Sequence, residues 1–348
     1  MPLVKRTACD SVRVAAKRIA LILAGAVAKG AFEAGVVQEL VHRDVRIARI
    51  VATSSGALNG TLLASGVRAR AVAATADRLV ELWTDHAEWN QIFHLSIADL
   101  FRREGIFDDR KVQCLLRDNV KPSALRPGDD IELRLVTAPL HGTRGQLAGE
   151  PATTFESVLD FAGESFDSAA ALDAVFVAAS ASAALPVAFA PVDVPALGPC
   201  VDGGTVNNTP IKWALEGPVG ESVDAVVVVT TTVQTLPPMT GEIRGTHLVG
   251  RLAELLINER LYRDLREGER VNEQLRALGA LRPALGDAAI DQVLAALQWQ
   301  RRREIEIVTL RPEVELAGSA FSGFFNRALR EQYIAAGRAE ANRVLARW

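Results

Sequence analysis

Apolar positions along this chain come in short unbroken runs separated by stretches with helical spacing. Residues 19–24 are continuously apolar, 31–43 repeat apolar residues at intervals of three and four, 47–53 are mostly apolar again around Arg49, and 55–65 return to the helical period. The spacing predicts strand, helix, strand, helix. A strand that is apolar on both faces is covered by helices on both sides, as in a parallel sheet. Residues 131–140 read as a longer strand of alternating character, and the glycine-bearing segment from His141 to Gly145 reads as a hairpin turn at a sheet edge. Residues 169–184 form an alanine-rich helix stopped by Pro186, 198–202 a short strand, and 223–230 the most β-branched strand of all. Leucines at helical spacing over 247–278 and again over 287–303 predict two long helices, followed by a strand over 304–310 and a helix over 326–346. The fold class that follows is α/β, a mostly parallel central sheet with helices on both faces. No repeat, low-complexity tract or linker divides the chain. Residues 18–348 therefore read as one domain, its C-terminal helices starting near 247, behind an N-terminal extension of residues 1–17.

Composition changes this picture only by exclusion. Of 348 residues 49% are hydrophobic and just 5% aromatic, so the core is built from alanine, valine and leucine. A formal charge of −3 offers no field for nucleic acid, and none is expected as a partner. Cys9, Cys114 and Cys200 stand at unrelated spacings and read as free thiols in a reducing compartment. His42, His86, His94, His141 and His247 show no ligand spacing, so neither metal nor cofactor is expected. Basic residues up to Arg18 ahead of the apolar run 19–28, with Ala26-Val27-Ala28 at its end, imitate a secretory signal. A buried first strand is the preferred reading, because cleavage there would remove a loop that the site needs. No run approaches the ~20 apolar residues of a membrane span. The expected location is cytoplasmic, with peripheral membrane contact and secretion both left open.

Candidate chemistry sits where strands hand over to helices. Ile50-Val51-Ala52-Thr53-Ser54-Ser55-Gly56 joins a buried strand to a helix through small residues, the context of a nucleophile elbow with Ser54 at the turn. The competing reading of such a serine is a helix N-cap, and Ser55 can serve as that cap. Val201-Asp202-Gly203-Gly204 places a carboxylate at the end of a short strand, either as a base for the serine or as a turn-forming aspartate. Upstream, the first strand runs through Gly25-Ala26-Val27-Ala28-Lys29-Gly30 into a helix, so backbone N–H groups can face the elbow. The glycine spacing there fits neither a Walker loop nor a dinucleotide fingerprint.

Together these segments resemble the patatin-like phospholipase family, in the right order and over nearly the whole chain. The family's G-G-G-x-[KR]-G-A loop is matched by residues 25–31 with Gly35 beyond, and its G-T-S-x-G-A-L-N elbow by Thr53, Ser54, Gly56, Ala57, Leu58 and Asn59. Its A-S-x-A-x-P-x-x-F-x-P-V block is similar to Ala179 through Pro186 with Phe189, Pro191 and Val192, and its D-G-G-x-x-N-N-x-P block to Val201 through Pro210. The resemblance implies an α/β/α sandwich and a Ser–Asp dyad without histidine, acting on a phospholipid or other fatty-acyl ester. Ser54 would be the nucleophile and Asp202 its base. N–H groups of Gly25, Ala26, Val27, Ala28 and Ser55 would form the oxyanion hole, with Lys29, Gly30, Gly56, Gly203 and Gly204 in support. Asn207 and Asn208 would hold the loop behind Asp202. Ala26 and Val27 depart from the family's glycines, and a β-branched residue at positive φ is a serious outlier.

Three other readings stay open. One is a conventional triad with His247, one a scaffold that binds lipid or a partner without turnover, and one acyl transfer to an alcohol. Trp83, Trp89, Phe93, Phe101 and Phe107 are a local aromatic excess that is either core or a membrane-facing rim. Arg301, Arg302 and Arg303 read as a solvated helix end. Oligomeric state is not legible.

Overall fold

The computed structural model of this protein describes residues 16–43, 45–95, 107–108, 110–123, 130–143, 153–186, 188–233 and 245–348. Ten strands occur among them: β1 (Lys17–Leu23), β2 (Val45–Ala52), β3 (His94–Leu95), β4 (Phe107–Asp108), β5 (Glu132–Pro139), β6 (Ser157–Phe161), β7 (Val192–Val194), β8 (Gly198–Asp202), β9 (Ala225–Val229) and β10 (Glu306–Leu310). β3 and β4 form a separate antiparallel pair. The others make one mixed sheet in the order β10-β9-β1-β2-β5-β8-β7, with β6 also on β5. The run from β10 to β5 is parallel throughout, and the pairs that β5 makes with β6 and β8 are antiparallel.

The strands' continuous hydrophobicity is explained by two cores. Ile19, Leu21 and Leu23 of β1 and Ala225, Val227 and Val229 of β9 point into the larger one. Ala20, Ile22, Val226 and Val228 point into the smaller one on the other face. The larger core is covered by α1 (Ala31–Leu40), α2 (Ser55–Arg68), α3 (Val72–Glu81), α5 (Ala169–Ser182) and α7 (Arg327–Val344), with α4 (Arg110–Asn119) at its margin. The smaller takes Trp213 and, from α6 (Gly245–Leu285), Leu261 and Leu265. The apolar run after Arg18 is therefore a central strand.

Two expectations need correction. β5 is not an edge. Its alternating polar residues are satisfied inside the fold: Arg49 Nε donates to Glu132 at 2.9 Å, and Arg134 Nη1 donates to the Trp213 carbonyl at 2.7 Å. The helix expected over 287–303 stops at Ala296, and Gln298 at φ 57° turns the chain away. Helices α3 and α4, although their apolar residues do recur at helical spacing, and the short strands β6 and β7 were not anticipated. Of the expected N-terminal extension 1–17, residues 1–15, with Cys9, lie outside the described residues and Lys17 opens β1; the side chains of Phe107 and His94 and the whole of Phe101 also lie outside them.

The register on β5 positions the site. Leu133 and Leu135 pair with β2 on one flank and β6 on the other, while Thr137 pairs with Ser157 of β6 and Asp202 of β8. β8 consequently lies on the β2 flank and meets β2 head-on. Asp202, the last residue of β8, arrives at the carboxyl end of β2 for this reason.

Candidate active site

β2 ends at Ala52, and Ser54 turns the chain into α2 with φ 58° and ψ −130°. A non-glycine residue in this region is strained and persists only where its surroundings fix it. Here Ser54 N–H donates to both the carbonyl and the hydroxyl of Ser182, each at 3.1 Å, and Ser182 Oγ donates onward to the Val136 carbonyl at 2.6 Å. Gly56 completes the turn. A Cβ there would lie 2.3 Å from the Leu23 carbonyl oxygen, so a larger residue would push β1 and α2 apart. Ser54 is left 7% exposed.

Asp202 is 2% exposed, and its N–H donates to the Ala184 carbonyl at 2.9 Å. Its Oδ1 accepts from the Gly204 N–H at 2.7 Å. Burial pushes this carboxyl up to about 6, against the opposing pull of the nearby Ser54 side chain and the Gly204 N–H. A base with that affinity for a proton is ionised at neutral pH yet far better matched to a serine than an ordinary aspartate. Among the described residues no histidine lines the pocket beside Ser54. The side chain of His247 lies outside them.

The loop after β1 is held at several points. Asn208 clamps Gly25, accepting from its N–H at 2.7 Å and donating to its carbonyl at 3.0 Å. Ala26 N–H donates to Ser55 Oγ at 3.0 Å, Ala28 N–H to the Ala320 carbonyl at 3.0 Å, and Lys29 N–H to the Ala26 carbonyl at 3.0 Å. Three of the five N–H groups expected at the oxyanion hole are thus engaged elsewhere. Those of Val27 and Ser55 have no partner among the described residues. Val27 adopts φ 52°, so the loop keeps the left-handed turn of a glycine with a β-branched residue in place. Gly30 follows with its carbonyl bound by Asn59 Nδ2 at 3.2 Å, and Gly203 and Gly204 form the short turn after Asp202. Asn207 bonds Glu156 at 2.9 Å. The Asn208 clamp on Gly25, which ties the aspartate's segment to the loop, was not foreseen, and neither was the Ser182 buttress. The sequence signal for each was only its place in a family-like block.

An apolar cavity of about 120 Å³ opens at Ser54. Trp83 and Phe93 are buried in its wall, so for them the core reading holds. Trp89 is half-buried and stacks at 4.6 Å on Phe325, which is 66% exposed. The Phe321–Phe325 segment was missed because it lies more than 200 residues from the aromatic stretch it completes. Among the described residues there is no cluster of metal-ligating side chains, and no helix is long and apolar enough to cross a membrane.

The sequence profile of the patatin-like phospholipase family matches residues 21–215, more than half of the chain, which takes in the Gly25 loop, Ser54, Ser182 and Asp202. The chain belongs to this family. Membership supports a lipid hydrolase. No curated protein matches the chain. Among solved structures, this patatin-like chain is similar to VipD from Legionella pneumophila, at 11% identity and a TM-score of 0.41, covering 95% of this chain and 67% of VipD. It is also similar to the type III effector protein ExoU, at 15% identity and a TM-score of 0.35, covering 94% of this chain and 52% of ExoU. A further similarity is to the complex of SpcU with ExoU from Pseudomonas aeruginosa, at 15% identity and a TM-score of 0.30, covering 92% of this chain and 70% of that one.

Proposed function

We propose that this patatin-like protein is a serine lipid acyl hydrolase of the carboxylic-ester type, working through a Ser54–Asp202 dyad. The observation that carries this reading is the meeting of the Ser54 side chain with the buried Asp202 carboxyl, on a positive-φ elbow that lines an apolar cavity. The Asp202 carboxylate takes the Ser54 hydroxyl proton as Oγ adds to the ester carbonyl carbon. Negative charge on the former carbonyl oxygen is met by the Val27 and Ser55 N–H groups. The intermediate collapses, the alcohol leaves with the proton from Asp202, and an acyl-enzyme remains. Water then repeats the sequence, with Asp202 again accepting and returning one proton, and a fatty acid is released. No step requires a metal or cofactor. The substrate class is a phospholipid or other fatty-acyl ester, which the aromatic rim of Trp89 and Phe325 would meet at a membrane surface.

A panel of phospholipids, lysophospholipids and neutral esters, assayed with wild type and Ser54→Ala, tests the reading. Release of fatty acid by wild type, reduced at least ~10³-fold in the variant, is the expected result. Wild type that releases no fatty acid from any of them would leave a lipid-binding scaffold instead.

A further inference from the structure

We infer that the cavity beside Ser54 is a closed acyl tunnel graduated by three helices, selecting chains of about eight to ten carbons. The inference rests on the proposed function for its chemistry and on independent geometry for its length. From the elbow into α2 the lining residues are Ser54, Ser55, Leu58, Asn59 and Leu62, which share one face of the helix at spacings of three and four. From Ser54 to Leu62 the rise is about 12 Å.

α3 runs antiparallel beside it. Trp83 Nε1 donates to Asn59 Oδ1 at 2.9 Å near the nucleophile, while Gly66 at the other end of α2 lies against Thr75. Between those two points Leu79 falls level with Leu62. α4 supplies the third scale. Lys111 Nζ, at its start, bonds the carbonyls of Asn90 and Phe93 at the mouth. Asn119, at its end, accepts from Arg78 Nε at 2.9 Å. Leu62, Leu79, Leu116 and the Arg78–Asn119 hydrogen bond therefore close the far end together.

An ester carbonyl at Ser54 directs its alkyl tail down this tunnel. A carbon–carbon bond is about 1.5 Å and an extended chain advances somewhat less per carbon, so about 12 Å holds eight to ten carbons. Each methylene within that length is buried against leucine. A longer chain meets Leu62, Leu79 and Leu116, all buried, and must displace them to go further.

Saturated p-nitrophenyl esters from butyrate to palmitate, with wild type and Leu62→Phe, provide one arm of the test. Wild-type kcat/KM should rise by up to about fourfold per methylene to near decanoate and then fall. Leu62→Phe should lower the decanoate-to-butyrate ratio at least about tenfold. Leu79→Ala should shift the optimum to longer chains, and because each ratio is internal, partial loss of folded protein does not affect it. The second arm is calorimetric binding of saturated fatty acids to Ser54→Ala protein, which needs no turnover. An affinity that stops increasing near ten carbons supports the tunnel even if no ester is hydrolysed, in which case only the hydrolase reading fails. Affinity and kcat/KM that keep rising to palmitate, or a ratio unmoved by Leu62→Phe, overturn it.

Discussion

Two residues of the candidate site sit at nearly the same positive φ, Ser54 at 58° and Val27 at 52°, and they are held in different ways. Ser54 is fixed from every side: β2 before it, α2 after it, Ser182 on its N–H, and β1 too close to Gly56 to yield. Its strain presents Oγ to Asp202. Val27 occupies a loop pinned at its flanks by Asn208, Ser55 and Ala320, and its own N–H is the group left over. Its strain presents a donor. The first turn is a structural junction that cannot relax without parting two elements, and the second can relax locally.

The largest effect that would sharpen this contrast is expected at the base. Asp202→Asn should cost at least ~10³-fold in kcat/KM while stabilising the fold at pH 8. The sign follows from burial. The folded state holds the Asp202 proton up to about pH 6, whereas an unfolded aspartate loses it near 4. Stability from this group is therefore complete below about pH 4 and is lost as pH rises through 6, to a total of about 3 kcal/mol. The neutral asparagine lacks that slope, so the gain should be seen in urea denaturation at pH 8 and vanish near pH 4. Equal stability at both values would contradict the buried-carboxylate account.

Next in size is the junction itself. Gly56→Ala should destabilise by ~3 kcal/mol or more, since the new methyl would collide with the Leu23 carbonyl, and a thermal melt would show it. Asn208→Ala should lower kcat ten- to a hundredfold with a smaller loss of stability, because it frees the loop and leaves the dyad's own contacts in place. A loss confined to stability would mean that Asn208 only supports the fold. The smallest effect belongs to Val27→Gly. Relief of ~1–2 kcal/mol of left-handed strain is offset by ~0.5–1 kcal/mol of added chain entropy, leaving a net stabilisation of no more than about 1.5 kcal/mol. Substantial destabilisation there would place Val27 in the same class as Ser54 and dissolve the contrast.

The sequence carried the parallel half of the sheet well, because β1 and β9 are buried on both faces and their apolar runs say so, and β2 keeps that pattern around one buried charge, Arg49. It carried β5 badly. Arg134 and Glu132 look like a solvent-facing alternation, and only the fold reveals that their partners are Trp213's carbonyl and Arg49. Ser54 and Asp202 were legible from their positions at strand ends and from family blocks. Their meeting was not, since it depends on β8 abutting β2 along β5. The donors were the least legible part. Which N–H groups of residues 25–28 remain available depends on acceptors at Ser55, Asn208 and Ala320, far apart in the sequence.

Labelling by a fluorophosphonate tests the central claim, a serine activated by an aspartate alone. Wild type should form an adduct at Ser54, identified by peptide mass. Asp202→Asn, shown to be folded by circular dichroism, should react at least ~100-fold more slowly, while His247→Ala should react at the wild-type rate. Undiminished labelling of Asp202→Asn, or its loss in His247→Ala, would contradict the dyad.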